Sequence, residues 1–377
     1  MTYSRLIIAF KCGVLLAELA KKEKIKQIMD RKEDHIRICL GLPVQARRVR
    51  TLFDDVHLIN NSMPELDLDD IDTSVKFLGH KFNVPLMIGA MTGGAELAGS
   101  INKNLAVAAQ ETGIGMVVGS QRAGLYDKSL ADTYSITRKM APNIFIGSNI
   151  GGAQISSGFS LKDGKKLVEM IDADAFYVHL NPGQEVIQPE GNEKYKNVLS
   201  GIGKFVKGLD VPVVVKEVGF GISGEVSRRL EGIGVSAIEV AGMGGTSYAA
   251  VEYYRAKTMR MRMKEKMGSL FWDWGIPTAV ALRMAKKNTK IPIVSSGGIR
   301  TGIDIAKSMA LGASLTAVAW PLLRPASISS ESVKDKLDEL VYGLKTVMFL
   351  TGCRNIKELQ GLKYVITGEL KEWDEQL

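Results

Sequence analysis

The chain has 377 residues, 45% apolar and 24% charged, with 49 Lys+Arg against 41 Asp+Glu for a net charge of +8, a globular balance that excludes disorder, collagen and coiled coil. At roughly 150 residues per domain the length suggests two or three units, although an α/β barrel fills 250 or more alone. Half of the charge excess sits in residues 1–28, where Arg5, Lys11, Lys21, Lys22, Lys24 and Lys26 face only Glu18 and Glu23, and the rest forms no basic run interleaved with aromatics, so no nucleic-acid face is expected.

Residues 1–28 read as an N-terminal extension, with Met29 an alternative start. Its apolar stretch Leu6–Ala20 is cut by Lys11 and Glu18, so it suits neither a membrane helix nor a signal peptide, and no membrane partner is expected. Cys12, Cys39 and Cys353 are too scattered for a disulfide framework or a zinc site, which points to a reducing compartment, the cytoplasm. Residues 29–83 form a polar, mixed prelude in which the acidic run Met63–Asp72 reads as a solvated loop.

From residue 84 a unit repeats: a short β-branched run, a turn with Gly, Ser or Asn, then a stretch of helical periodicity. The runs are Val84–Met91, Gly113–Ser120, Ile144–Ile150, Ala175–Asn181, Val211–Val218, Ala237–Gly242, Pro292–Gly298 and Leu315–Trp320. They are nearly continuous apolar segments, as strands buried on both faces must be. Helices are predicted over Leu97–Glu111, Ser129–Met140, Leu161–Ile171, Tyr195–Lys207, Gly224–Glu231, Ala249–Lys264 with a further piece near Thr278–Ala285, Gly302–Leu311 and Val333–Leu350. Eight strand–helix units make an α/β protein of the (β/α)8 TIM-barrel class, with a doubly wound open sheet as the alternative. Residues 29–377 then read as one domain closed by a short charged tail, 353–377.

In a barrel, function gathers at the C-terminal strand ends. Gly297-Gly298-Ile299-Arg300 after the seventh strand and Ala319-Trp320 at the eighth suit a phosphate grip, although paired glycines also serve plain tight turns. Lys216 ends the apolar run VPVVVK and needs a partner or a job: a fixed cation beside an electron-rich ring, a Schiff base, or a pair with neighbouring Glu217. The second strand ends in Ser120, Gln121 and Arg122, the third in Asn149. The fourth carries His179, Asn181, Gln184 and Glu185 within seven residues, a set suited to a diphosphate held through Mg2+ on Glu185, unless Glu185 only caps a helix. Upstream, Arg31 and His35 stand at i and i+4 beside Lys32, a phosphate clamp if it is not simply charged surface.

Taken together, RKEDH (31–35), MTGG (91–94), GSQR (119–122), VHLNPGQEVIQPEG (178–191), VVVKE (213–217), GMGGT (242–246), FWDWGIPT (271–278) and SSGGIRTG (295–302) resemble the type 2 isopentenyl diphosphate isomerases, FMN-binding (β/α)8 barrels, in an archaeal form. The resemblance implies conversion of isopentenyl diphosphate to dimethylallyl diphosphate in isoprenoid biosynthesis, with reduced FMN as acid and base, Mg2+ on the diphosphate and NADPH as flavin reductant. It implies FMN contacts from Gly89, Ala90, Met91, Thr92, Ser120, Asn149, Lys216 and Thr246, with the FMN phosphate on Gly298, Ile299, Arg300, Ala319 and Trp320. Substrate would meet Arg31, Lys32, His35, Ser120, Gln121, Arg122 and Gln184, with 29–83 as the clamping segment. His179, Asn181, Gln184 and Lys216 would be catalytic and Glu185 the metal ligand. A homotetramer or homo-octamer is expected. The rival is an FMN oxidoreductase of the hydroxy-acid oxidase or dihydroorotate dehydrogenase type. The first needs a late-strand His base, yet the histidines are 35, 57, 80 and 179. The second uses a Cys or Ser base, and the last cysteine, Cys353, lies outside the barrel pattern.

Overall fold

The computed structural model describes Glu23 and residues 26–377. Eight parallel strands, β1 (Leu86–Ile88), β2 (Gly115–Val117), β3 (Ile146–Gly151), β4 (Ala175–His179), β5 (Val213–Lys216), β6 (Ala237–Glu239), β7 (Ile293–Ser296) and β8 (Leu315–Val318), pair in chain order, and β8 pairs with β1. That last pairing, Thr316 to Leu86 and Val318 to Ile88, closes the barrel and removes the open-sheet alternative. Around it lie α1 (Glu96–Thr112), α2 (Asp132–Met140), α3 (Leu161–Ile171), α4 (Val198–Gly208), α5 (Gly224–Gly232), α6 (Thr278–Asn288), α7 (Gly302–Ala310) and α8 (Ser330–Thr351). Each starts where local chemistry permits: Ser160 and Thr301, for example, accept from the backbone N–H three residues on.

The apolar runs divide by face. Met87, Val117, Tyr177, Val214, Val294 and Leu315 fill the barrel interior, and the intervening residues, such as Ile88, Val178 and Val215, pack against the helices. A hairpin, Val75–Phe77 with His80–Phe82, plugs the N-terminal end of the barrel. Its Phe77 and Phe82 rings sit 5.9 and 5.7 Å from Phe145, so water is shut out below and any ligand must enter from above.

Three expectations change. The single helix over Ala249–Lys264 is two, Tyr248–Thr258 and Arg262–Leu270, because Arg260 takes a left-handed φ of 58° between them. The prelude and the charged tail are joined: Val56–Leu58 pairs antiparallel with Tyr364–Ile366. Residues 26–41 are helical, so the boundary expected at 28/29 falls inside a helix whose Ile28 is buried against Ala123 and Leu130. The rest of the expected extension, 1–22, 24 and 25, lies outside the described residues. The acidic run 63–72 is mostly exposed, around a short turn at Leu68–Asp70.

Candidate active site

Strand register builds the floor of the site. His179 on β4 stands beside Lys216 on β5, and Lys216 beside Glu239 on β6, so the three side chains form one row pointing into the same cavity. Lys216 Nζ lies 3.4 Å from Glu239 Oε1, which also accepts from Ser296 Oγ at 2.9 Å. The pairing of Lys216 with Glu217 weighed from sequence does not form through the Glu217 carboxylate: Glu217 Oε2 accepts from the backbone N–H of Phe220, Gly219, Val218 and Gly221, holding the loop after β5, and Lys216 meets only the Glu217 carbonyl. Burial pushes the Glu217 carboxyl up to about 7 against those N–H donors. Beside the row, His179 Nδ1 sits 2.7 Å from Asn149 Oδ1. Burial, with the positive charges of Lys216, Arg122, Arg31 and Lys32, pushes His179 down to about 3, so the ring is neutral and Nδ1–H donates to the amide oxygen.

The loops after β6 and β7 meet backbone to backbone. Gly298 has φ +74°, and a Cβ there would lie 2.5 Å from Thr51 Cγ2 and 2.9 Å from the Gly244 carbonyl carbon, so only glycine fits. Gln45 of the prelude bridges to Thr246, and its amide oxygen accepts from Arg300, whose guanidinium also sits 4.8 Å over the Trp320 ring. The result is a backbone-lined recess beside Gly298, Ile299, Arg300, Ala319 and Trp320, at the mouth of a cavity of about 240 Å³, where one water needs roughly 10–15 Å³.

The opposite wall is made of charged side chains from distant segments. Arg31, Lys32 and His35 come from the helical residues 26–41; Arg122 follows β2; Asn181, Gln184 and Glu185 follow β4, the last two on the short helix Pro182–Ile187. Asn181 Nδ2 donates to Gln184 Oε1 and Glu185 Oε1, and the Asn192 N–H donates to Glu185 Oε2 at 2.6 Å. Lys32 Nζ is buried, donating to the carbonyls of Gly93 and Ser120 and to Tyr134 Oη. Burial and the nearby Arg31 and Arg122 hold its ammonium well below the ordinary lysine range. Arg122 is lowered to about 10 by burial and by Arg31, and its Nε is buried with no hydrogen-bond partner among the described residues. Arg31, Lys32 and Arg122 repel one another, Glu185 and Glu190 offset part of that at Arg122 and Glu190 pairs with Arg31, and the unmet Arg122 Nε leaves a donor suited to an anion.

Every residue expected from the sequence lines this one cavity except Gln121. Its side chain is turned away: Nε2 donates to the Leu167 carbonyl at 3.0 Å, and Oε1 accepts from the Asn149 N–H at 2.9 Å. Sequence reasoning missed Glu239, although a carboxylate inside the apolar run Ala-Ile-Glu-Val is a visible signal. It also missed Glu252, on the helix Tyr248–Thr258, which is fully buried. Glu252 takes hydrogen bonds from His35 Nε2 (2.9 Å), Gln184 Nε2 (3.0 Å) and Arg255 Nη1 (2.9 Å). Burial would raise its carboxyl, but His35, Arg255 and the Gln184 amide together bring it down to about 2. With the Gln188 amide turned to satisfy both neighbours, it donates to Glu252 and accepts from Arg31 Nη1, each at 3.1 Å. Glu252 therefore ties the helical segment 26–41 to the loop after β4. Among the described residues no group of three or more His, Cys, Asp and Glu could hold a metal. Glu185 is a lone carboxylate, a donor set that fits a hydrated Mg2+ arriving with a diphosphate rather than an all-protein site.

The chain matches the FMN-dependent dehydrogenase family over residues 26–132 and 195–365. It is 45% identical over 354 residues to an isopentenyl-diphosphate delta-isomerase of Pyrococcus furiosus, covering 92% of this chain and 89% of that one. To the protein of the same name from Archaeoglobus fulgidus it is 46% identical over 344 residues, 91% and 97% of the two chains, and to that of Halobacterium salinarum 44% over 355 residues, 93% and 97%. Among solved structures, a lactate oxidase of Pediococcus acidilactici (14% identity, TM-score 0.61, 93% of this chain and 94% of that one) and a mandelate oxidase carrying an FMN adduct (18%, 0.56, 84% and 90%) share the barrel. At that identity the likeness speaks for the fold alone.

Proposed function

The chain belongs to the isopentenyl-diphosphate delta-isomerases, within the FMN-dependent dehydrogenase family, and from that premise we propose how its residues carry out the reaction. It is an FMN-dependent isomerase that turns isopentenyl diphosphate into dimethylallyl diphosphate. A proton is added at the terminal methylene carbon and one is removed from the allylic carbon, so atoms and electrons balance with no net redox change. The oxidase reading rests only on distant neighbours of fold, and no histidine follows residue 179 to serve as its base.

The observation that carries the mechanism is the convergence of Arg31, Lys32 and Arg122, with its unmet Nε, on one side of a cavity whose other side is a glycine-lined recess. The recess fits FMN: the backbone at Gly298, Ile299, Arg300, Ala319 and Trp320 would take its phosphate, and Gly89–Thr92, Ser120, Asn149, Lys216 and Thr246 would bracket the rest. When bound and reduced, FMN supplies the acid and base for the proton shift. Lys216 places a fixed positive charge at the floor of the site, compensated by Glu239.

Arg31 and Arg122 bind the diphosphate; Lys32, whose donors already meet Gly93, Ser120 and Tyr134, holds the clamping helix on the barrel, and Asn181, whose Nδ2 already meets Gln184 and Glu185, positions those two side chains. Neutral His179 orients the Asn149 amide. Gln184 is held at both ends of its amide by Asn181 and Glu252 and would face the reacting carbons. Glu185 would hold Mg2+ with diphosphate oxygens and water completing the shell. Ile36, Met91, Tyr248 and Leu323 give the five-carbon chain an apolar wall and exclude water. NADPH as reductant, a homotetramer or homo-octamer, and a cytoplasmic location rest on the family resemblance. No helix among the described residues is long and apolar enough to cross a membrane.

The test is direct. Purified protein should be yellow and, reduced with NADPH or dithionite and given Mg2+, should interconvert the two diphosphates; colourless protein with no isomerisation of labelled substrate sinks the proposal. Glu185→Gln should weaken the Mg2+ dependence about 10- to 100-fold with FMN still bound, and an unchanged Mg2+ titration removes Glu185 from the metal.

A further inference from the structure

Glu239 is the least explained group in the cavity. It ends β6, is 2% exposed and lines the cavity floor. One carboxylate oxygen is fully engaged, Oε1 accepting from Ser296 Oγ and facing Lys216 Nζ. The other, Oε2, is buried without a hydrogen-bond partner among the described residues. A buried carboxylate oxygen left without a donor is costly, and native sites keep one where a ligand brings the donor.

The two ligands of the cavity differ sharply in what they can donate. Isopentenyl diphosphate, ionised at neutral pH, carries oxygen acceptors and a hydrocarbon chain and has no N–H or O–H to give. Oxidised FMN has two kinds of donor, the imide N–H of the ring and the three hydroxyls of its ribityl chain, and reduction adds only ring N–H groups. The position of Glu239 separates them. Its carboxylate is hydrogen-bonded to Ser296, the residue immediately before the Gly297–Gly298 turn that would take the FMN phosphate. The ribityl chain must leave that phosphate and cross the floor towards the ring. We infer that Glu239 Oε2 accepts a hydrogen bond from a ribityl hydroxyl, making Glu239 a flavin-binding residue that selects for the polyol chain.

The inference rests on the FMN reading, and the experiment separates the two. Full-length protein, dialysed until it is colourless and free of bound flavin, is equilibrated by dialysis against FMN, riboflavin or lumiflavin, and bound flavin is read by absorbance. Riboflavin and lumiflavin share the ring and lack the phosphate, but only riboflavin has the ribityl hydroxyls. Any effect of Glu239→Gln on folding, or on the charge that Lys216 presents to the ring, therefore falls on both alike. The riboflavin-to-lumiflavin affinity ratio isolates the polyol contact. It should fall about tenfold in Glu239→Gln, the difference between a charge-assisted and a neutral hydrogen bond, and by an intermediate amount in Glu239→Asp, which keeps the charge but withdraws it by one methylene. An unchanged ratio while wild-type protein binds flavin, or a loss confined to lumiflavin, overturns the inference and leaves the FMN reading standing. Wild-type protein that takes up none of the three flavins overturns both.

Discussion

The two sides of the cavity are built by different means. The side that suits the flavin is mostly backbone: glycines at tight turns after β6 and β7, strand ends fixed by barrel register, and one compensated ion pair, Lys216 with Glu239. The side that suits the diphosphate is almost all side chain, its cations carried by residues 26–41 and by Arg122 in the connection from β2 to α2, tied down through Glu252 and Arg255. A backbone site is set once the barrel closes. A side-chain site assembled from remote segments depends on each ion pair and hydrogen bond that holds those segments together. If the division is real, mutations should separate flavin affinity from substrate affinity.

The largest separation is expected from Arg122→Met. Removing a guanidinium with an unmet donor from a diphosphate site should raise the KM for isopentenyl diphosphate about 100-fold, the scale of charge-assisted hydrogen bonds to phosphate, with flavin affinity within about twofold. A parallel loss of flavin would mean that the two sides are one coupled site. The reciprocal change is Gly298→Ala. Its Cβ would press on Thr51 and the Gly244 backbone at a positive φ, and strain of about 1–3 kcal/mol should weaken FMN about 10- to 100-fold. Calorimetry should still show substrate diphosphate binding to that variant; if both affinities fall together, the contrast fails.

His179 lies where the two sides meet, and its titration should be visible in stability. In the folded protein it is held down to about 3, against an ordinary value of 6.5. Between those values the unfolded chain takes up a proton that the folded chain refuses. Stability is therefore intact above about pH 6.5 and lost as pH falls towards 3, by at most about 1.4 kcal/mol per pH unit. Glu252, lowered to about 2 from 4.5, adds its own loss only below about pH 4.5. From pH 7 to pH 5 the Glu217 carboxyl, raised to about 7 from 4.5, adds stability as it takes up a proton and so opposes His179. The difference between the urea midpoints of wild type and His179→Gln isolates His179, and wild type should lose stability relative to the variant as pH falls. Parallel curves would show that burial and the four cations do not act on this ring.

The same contrast sets how far the sequence can be read. Gly298, Lys216 and Ser120 are legible because strand ends and glycine turns follow from short-range pattern once eight units are counted. Arg31 and His35 are ambiguous by spacing and gain meaning only beside Asn181, Gln184 and Glu185, which the fold brings opposite them. Glu252 sits in Val-Glu-Tyr-Tyr-Arg, where a charged residue reads as solvated surface; only the packing of residues 26–41 over that helix buries it. The pairing of Val56–Leu58 with Tyr364–Ile366 is hidden for the same reason, since three-residue strands some 300 positions apart carry no local sign of each other.

Gln121 gives the smallest effect and the finest discrimination. Its neighbours in sequence, Ser120 and Arg122, both reach the cavity, so adjacency suggests a substrate contact. The geometry instead makes its amide a brace between β3 and α3, donating to Leu167 and accepting from the Asn149 N–H. Gln121→Leu keeps the bulk but leaves the Asn149 N–H unpaired in the interior, which should cost about 1–3 kcal/mol of stability, read as a lowered urea midpoint. The KM for isopentenyl diphosphate should move less than about threefold, because no bond to substrate is lost. Any functional change should come through Asn149, whose side chain stands on the floor beside His179, and so should appear in flavin affinity before it appears in KM. A variant of unchanged stability with a tenfold higher KM would reverse this, returning Gln121 to the substrate and showing that the side-chain wall extends one residue further along the loop after β2.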